Sequence, residues 1–177
     1  RLGGPCLIRG CLSAKASIHA AGKFDAMRHA VGGEALGITL REAPSIDLPK
    51  TIGWKDGIVD RLSGGVGALL RRTKVRVLTG WATFSDAKTC TVRVGDGTET
   101  VRAEHVVLAT GSEPASLPGL ELGGAVVPST GALSRDRVPA RLPGVGAGDL
   151  GPELGPACRR LGAEAPGVEA RQRVPPA

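Results

Sequence analysis

Cys6 and Cys11 stand five residues apart, with Lys15 four residues further on. Thiols this close in sequence can carry reversible disulfide chemistry, in which a thiolate attacks sulfur and a second thiol resolves the mixed disulfide. The spacing imposes a geometric condition. Five residues of ideal helix rise about 7.5 Å, beyond the roughly 4.4–6.8 Å between the Cα atoms of a disulfide. A bridge becomes possible if Cys6 sits just ahead of a helix and Gly10 loosens its first turn. So short a loop offers about 2 kcal/mol by chain entropy, little for a structural staple and better suited to a bond that opens. A helix N-terminus would also favour the thiolate form of a cysteine placed there. Two free buried cysteines, or a surface staple, satisfy the same spacing. Zinc is disfavoured, because Cys90 and Cys158 lie far off without metal-ligand spacing.

Two turns could hold a nucleotide. In Gly146-Ala147-Gly148-Asp149-Leu150-Gly151, the first two glycines allow a tight turn and close approach of a pyrophosphate. Gly151 would allow close packing of helix on strand, and the helix N-terminus would supply N–H donors. Glu169 would accept ribose hydroxyls, which favours NAD over NADP. An ordinary Gly-rich turn reads the same way in a chain with 27 glycines. The second turn, Ala109-Thr110-Gly111-Ser112-Glu113-Pro114, follows an apolar run, and the carboxyl end of a buried strand is where open α/β sheets bind ligands.

The elements that must position these residues follow from periodicity. Residues 2–30 read as a Gly-rich turn and then a helix. Residues 31–53 read as loop, with Pro44 and Pro49 as breakers. Residues 54–72 read as a helix whose apolar stripe is Ile58, Leu62, Val66, Leu69 and Leu70. Strands are expected from 74 to 109: Val75 and Val77 alternate with polar residues, 91–94 alternates before the turn Gly95-Asp96-Gly97, and 106–109 suits a strand buried on both faces. Residues 113–128 should connect to a strand-turn-helix-strand over 142–169. Aromatics are only 2%, so the core must be built from Val, Leu, Ile and Ala. The net charge of +6 is not a nucleic-acid footprint, since Arg71, Arg72 and Lys74 form only a short cluster without a stacking platform. No run approaches the roughly 18 apolar residues of a membrane span, and no signal peptide is visible.

Taken together, these motifs resemble the family of pyridine nucleotide-disulfide oxidoreductases. The stretch Gly3-Gly4-Pro5-Cys6-Leu7-Ile8-Arg9-Gly10-Cys11-Leu12-Ser13-Ala14-Lys15 is similar to that family's G-G-T-C-L-N-V-G-C-I-P-S-K. The stretches Ser129-Thr130-Gly131-Ala132-Leu133 and Leu161-Gly162-Ala163-Glu164 are similar to the dihydrolipoamide dehydrogenases within it. Trp54 to Leu62 and Val168 to Arg171 look like bacterial forms serving the branched-chain 2-oxoacid dehydrogenase complex. The resemblance implies an α/β, FAD/NAD(P)-binding doubly wound (Rossmann-like) fold with a small antiparallel meander. Residues 1–134 would be part of an FAD-binding domain, and 135–177 the beginning of an NAD-binding domain. It implies a Cys6–Cys11 redox disulfide, Cys6 exchanging with lipoamide and Cys11 facing the flavin. Gly3, Gly4, Lys15, Ala82, Thr110, Gly111 and Ser112 would contact FAD. Gly146, Ala147, Gly148, Gly151, Glu153 and Glu169 would hold NAD. It further implies a cytoplasmic homodimer served by a lipoyl domain, with neither nucleic acid nor membrane as partner. Fragments of a glutathione or mercuric reductase, or an inert remnant, are the alternatives.

Some features depart from the family pattern. The chain opens on Arg1 within two residues of the motif, which reads as a piece of something longer. The family's first glycine fingerprint and its catalytic His-Glu pair are not matched, and His19, His29 and His105 read as ordinary surface or core residues. The chain alone is therefore expected to be inactive. Leu142-Pro143-Gly144-Val145 replaces an aliphatic strand, Pro156 falls inside the expected helix, and Pro166-Gly167 interrupts the next strand. The expectation is that 142–177 does not form a stable nucleotide-binding unit.

Overall fold

The computed structural model describes residues 2–31, 37–115, 117–146 and 150–168. Its elements are α1 (Gly4–Ile8), α2 (Cys11–Ala30), α3 (Leu48–Arg72), β1 (Trp81–Phe84), β2 (Thr89–Val94), β3 (Gly97–Arg102), α4 (Ser129–Ala132), β4 (Gly144–Val145), α5 (Leu150–Arg160) and β5 (Gly167–Val168). This is a mixed α/β fold with a small antiparallel sheet, β1-β2-β3, and a parallel pair, β4-β5. The described residues fall into two compact units, one from Arg1–Gly64 and Glu113–Ala177, the other from Gly65–Ser112.

In the first unit, α1 and α2 are separated by a two-residue break. Pro5 stands in the first turn of α1, where a missing N–H is tolerated. The N–H groups of Arg9 and Gly10 both donate to the Pro5 carbonyl at 2.8 Å, which ends α1 before α2 restarts at Cys11. Ala14 and Ala21, seven residues apart on one face of α2, are fully buried, and α2 packs against α5, where Ala157 is buried. Among the described residues of this unit, the other buried apolar ones are Ala30, Val59, Leu133 and Ala163, so its core is aliphatic, as the composition requires.

α3 begins at Leu48, six residues before the expected helix start. Pro49, read as a breaker, sits in its first turn, and Asp47 caps it by accepting the Lys50 N–H at 3.1 Å. The residues read as loop thus contain a helix start. The buried face also differs from the expected stripe: Leu62 and Leu69 are exposed, whereas Lys55 and Val59 are buried. α3 closes with the Lys74 N–H on the Arg71 carbonyl and the Val75 N–H on the Leu70 carbonyl, a Schellman arrangement with Lys74 at φ 57°. α5 ends the same way, with Gly162 at φ 101° in that position.

The second unit contains the meander. Val94 pairs with Gly97 across the two-residue turn Gly95-Asp96, as the spacing predicts. Two expected strands are not formed. Residues 75–79 are irregular, with Val75 and Val77 exposed. Residues 106–109 are irregular too, and Val107 is 88% and Leu108 72% exposed. A buried strand needs neighbours that take up its N–H and C=O groups, and no described strand pairs with this run.

Of the expected C-terminal unit, the two strands and the helix are formed, although each strand has only two residues. The N–H groups of Leu142, Gly144 and Gly146 donate to the carbonyls of Glu164, Pro166 and Val168, each at 2.8 Å. Only alternate residues of a parallel strand face a given neighbour. Pro143 falls between them, so its missing N–H costs this ladder nothing. Pro166 accepts through its carbonyl and removes only the bond it would have donated to Leu142. Pro156 lies inside α5 and removes one helical bond.

Candidate functional site

The α1–α2 break determines the geometry of the cysteines. Cys6 lies within α1 rather than ahead of the helix, and Cys11 is the first residue of α2. The break brings their Cα atoms to 4.7 Å, and the two form a disulfide. Cys6 is exposed and Cys11 half-buried. No acidic residue occupies the first turn of α2, so nothing there offsets the helix dipole that favours a thiolate at Cys11 once the bond opens. The other thiols differ. Burial pushes the Cys158 thiol above its ordinary pKa, which disfavours its thiolate. Cys90 is half-buried in β2, opposite Phe84 and Val101.

One turn along α2, the Lys15 ammonium lies 3.9 Å from a Glu153 carboxylate oxygen in the first turn of α5. A residue expected at FAD and one expected at NAD thus approach one another, Lys15 standing one helical turn beyond Cys11. At its other end α5 is tied to α2 as well: Arg28 donates to the Arg160 carbonyl at 3.4 Å, and the Arg160 guanidinium lies 3.9 Å from Asp25.

Gly146 has φ 94°, and a Cβ on Gly151 would run into the Gly146 carbonyl oxygen. Only glycine lets the helix approach the strand this closely, which is the requirement of a dinucleotide turn. Ala147, Gly148 and Glu169 lie outside the described residues. Gly3 and Gly4 lead into α1 at φ 122° and 71°. Ala82, Thr110, Gly111 and Ser112 belong to the second unit. Ala82 is in β1, paired with Val92, and all four are exposed, Gly111 at φ 85°. His19, His29 and His105 are exposed, and His19 lies against the Trp54 ring at 6.4 Å.

Sequence reasoning missed Lys55. Its side chain is 4% exposed, and its ammonium lies 3.0 Å from both the Leu133 carbonyl, at the end of α4, and Asp56. The available signal was its position four residues before Val59, on the same helix face.

The pyridine nucleotide-disulphide oxidoreductase family matches residues 2–177. A dihydrolipoyl dehydrogenase from Pseudomonas aeruginosa is 48% identical over 176 residues, which cover 99% of this chain and 38% of that protein. Another from Thermus scotoductus is 40% identical, over 99% of this chain and 36% of the relative. The chain therefore spans little more than a third of the relatives it matches. Among solved structures, LpdA from Mycobacterium tuberculosis superposes with a TM-score of 0.82 at 23% identity, over 99% of this chain and 38% of that one. The HOCl-induced flavoprotein disulfide reductase RclA from Escherichia coli gives 0.77 at 22% identity, over 98% and 35%. These two likenesses speak for the fold.

Proposed function

The chain belongs to the pyridine nucleotide-disulphide oxidoreductase family, and we propose that it is the disulfide-bearing part of a dihydrolipoyl dehydrogenase. The observation that carries this reading is the Cys6–Cys11 bridge across the α1–α2 break, with Lys15 one turn away. Cys6 is the more exposed of the two residues, and we assign it the exchange with an external thiolate. A dihydrolipoamide thiolate attacks Cys6 and breaks its bond to Cys11, which leaves as thiolate at the head of α2. The second substrate thiol then displaces Cys6. Lipoamide departs oxidised by two electrons, and Cys6 and Cys11 remain as the reduced pair.

FAD and NAD, when bound, supply the acceptors that take those two electrons onward. Gly3, Gly4, Lys15, Ala82, Thr110, Gly111 and Ser112 are the residues we assign to FAD. Gly146, Ala147, Gly148, Gly151, Glu153 and Glu169 are assigned to NAD. The glycine requirement at 146 and 151 supports that second assignment. A homodimeric parent in the cytoplasm, with a lipoyl domain as partner, completes the reading. Among the described residues, no helix is long and apolar enough to cross a membrane.

The test uses the oxidised 177-residue chain, incubated with dihydrolipoamide, trapped with iodoacetamide and mapped by mass spectrometry. New alkylation at both Cys6 and Cys11 is expected. Protection of both cysteines throughout would sink the reading. Adding FAD, removing the excess and recording the visible spectrum asks separately whether this chain holds flavin by itself, and a colourless chain is expected.

A further inference from the structure

Between Cys6 and Cys11 stands one charged residue, Arg9, where the similar stretch G-G-T-C-L-N-V-G-C carries an apolar valine. We propose that Arg9 tunes the disulfide: its fixed positive charge favours the thiolates of the opened pair, and so favours the reduced over the bridged state. The proposal rests on the reading of Cys6–Cys11 as the exchanging pair and adds to it a residue that acts through the two sulfurs.

Three observations carry it. First, the place of Arg9 is fixed. It caps the C-terminus of α1, and its N–H donates to the Pro5 carbonyl at 2.8 Å. It follows Cys6 by three residues, the spacing at which helical side chains are neighbours. It precedes Cys11 by two, so their Cα atoms are within about 7 Å, and the bridge holds the Cα atoms of the two cysteines 4.7 Å apart. The charge therefore belongs to the same short loop as both sulfurs. Second, that charge is not neutralised. Arg9 is exposed and has no ion-pair partner among the described residues. The other cations around the loop are paired, Lys15 with Glu153 at 3.9 Å and Lys55 with Asp56 at 3.0 Å across the pocket that Arg9 lines. Residues 2–14 hold no other charge, and the first turn of α2 holds no acid. Third, the two redox states differ in charge. The bridge is neutral, whereas each thiolate of the opened pair carries a full negative charge, so a fixed cation stabilises only the opened state. The head of α2 acts in the same sense on Cys11, and Arg9 adds to it from the end of α1.

The 177-residue chain is tested as Arg9→Val, Arg9→Lys and Arg9→Glu. Arg9 is exposed, so all three substitutions leave the core untouched. In the first measurement the reduced chain is alkylated with iodoacetamide across a range of pH, and Cys6 is followed by mass spectrometry. A unit charge about 8 Å from a thiolate in mostly aqueous surroundings changes the thiolate population about threefold. The midpoint of the profile should therefore rise by about half a pH unit in Arg9→Val and by about one unit in Arg9→Glu, and stay with wild type in Arg9→Lys. Salt at about 1 M should shrink these differences. In the second measurement the bridge is equilibrated with dithiothreitol near pH 9, roughly where free thiols ionise. Dithiothreitol passes two electrons and two protons to the bridge and closes into its own cyclic disulfide, and the proton of any thiolate formed goes to solvent. Arg9→Val should need a ratio of reduced to oxidised dithiothreitol about two to three times higher to open half of the bridges. Equal midpoints and equal ratios in wild type and Arg9→Val would overturn the proposal. So would Arg9→Lys behaving as Arg9→Val, which would mark a role of shape rather than charge. Dihydrolipoamide is the separate control. If it leaves the wild-type bridge closed while dithiothreitol opens it, the dehydrogenase reading fails, and the two charge measurements still decide the role of Arg9.

Discussion

Along α3, leucines at positions 62 and 69 remain 42% and 52% exposed while the ammonium of Lys55 is taken inside. The reason is the Leu133 carbonyl at the end of α4. A cation suits a helix C-terminus, and the contact satisfies an otherwise orphaned acceptor. Lys55→Met keeps the apolar stem but strips the Leu133 carbonyl of its partner. It should destabilise the chain by about 1–3 kcal/mol, read from the midpoint of urea unfolding. A wild-type midpoint in this variant would mean that the contact is energetically idle. Asp47 acts at the other end of the first unit's part of α3. The Lys50 N–H, and then its ammonium, hold the Asp47 carboxyl below its ordinary pKa. A depressed pKa contributes stability above the unfolded value, lost as pH falls through the folded one. Asp47→Ala should therefore lower helix content at neutral pH. The difference from wild type by circular dichroism should close as the pH drops below the usual aspartate range.

Helix ends and proline positions decide the behaviour of single elements. The two Schellman ends differ in one residue: Gly162 takes the left-handed conformation freely, whereas Lys74 carries a Cβ into it. Lys74→Gly should stabilise the chain by roughly 0.5–1 kcal/mol, since relief of that strain exceeds the added chain entropy. Thermal unfolding would detect the rise. In α5, Pro156→Ala restores the N–H that the Pro152 carbonyl lacks and removes the ring clash, a gain of up to about 3 kcal/mol within the helix. Hydrogen exchange should then slow at the Gly144 and Gly146 amides, which donate to β5 and to the residue before it. Unchanged exchange there would show that α5 does not limit the stability of this small parallel pair. Proline was legible in the sequence as a breaker. Whether it breaks anything depended on register, which the sequence does not carry: Pro49 opens a helix, Pro143 falls between ladder positions, and Pro156 removes a bond.

At the scale of the molecule, the second unit buries only Val92 among its large apolar residues, and Trp81, Val107 and Leu108 are 71%, 88% and 72% exposed. An exposed apolar run of this kind binds hydrophobic dyes and partners. Val107→Lys with Leu108→Glu should reduce anilinonaphthalene sulfonate fluorescence without loss of the meander's β signal. Unaltered dye binding would locate the apolar surface elsewhere. The run 106–109 was read as a buried strand because hydrophobicity is all that a sequence displays. Burial also requires neighbouring strands, and the chain spans 38% of the Pseudomonas relative's length.

Some properties of this chain follow from spacing alone. The two-residue hairpin at Gly95-Asp96 and the glycine requirement at 146 and 151 are local, because covalent geometry and backbone sterics act over a few residues. Other properties belong to the tertiary structure. The Arg9–Gly10 break that lets the sulfurs meet, the approach of Lys15 to Glu153 and the burial of Lys55 each depend on bonds or packing that spacing does not encode. Solvent exclusion and charge pairing across more than a hundred residues depend on which surfaces meet, and only the folded chain decides that.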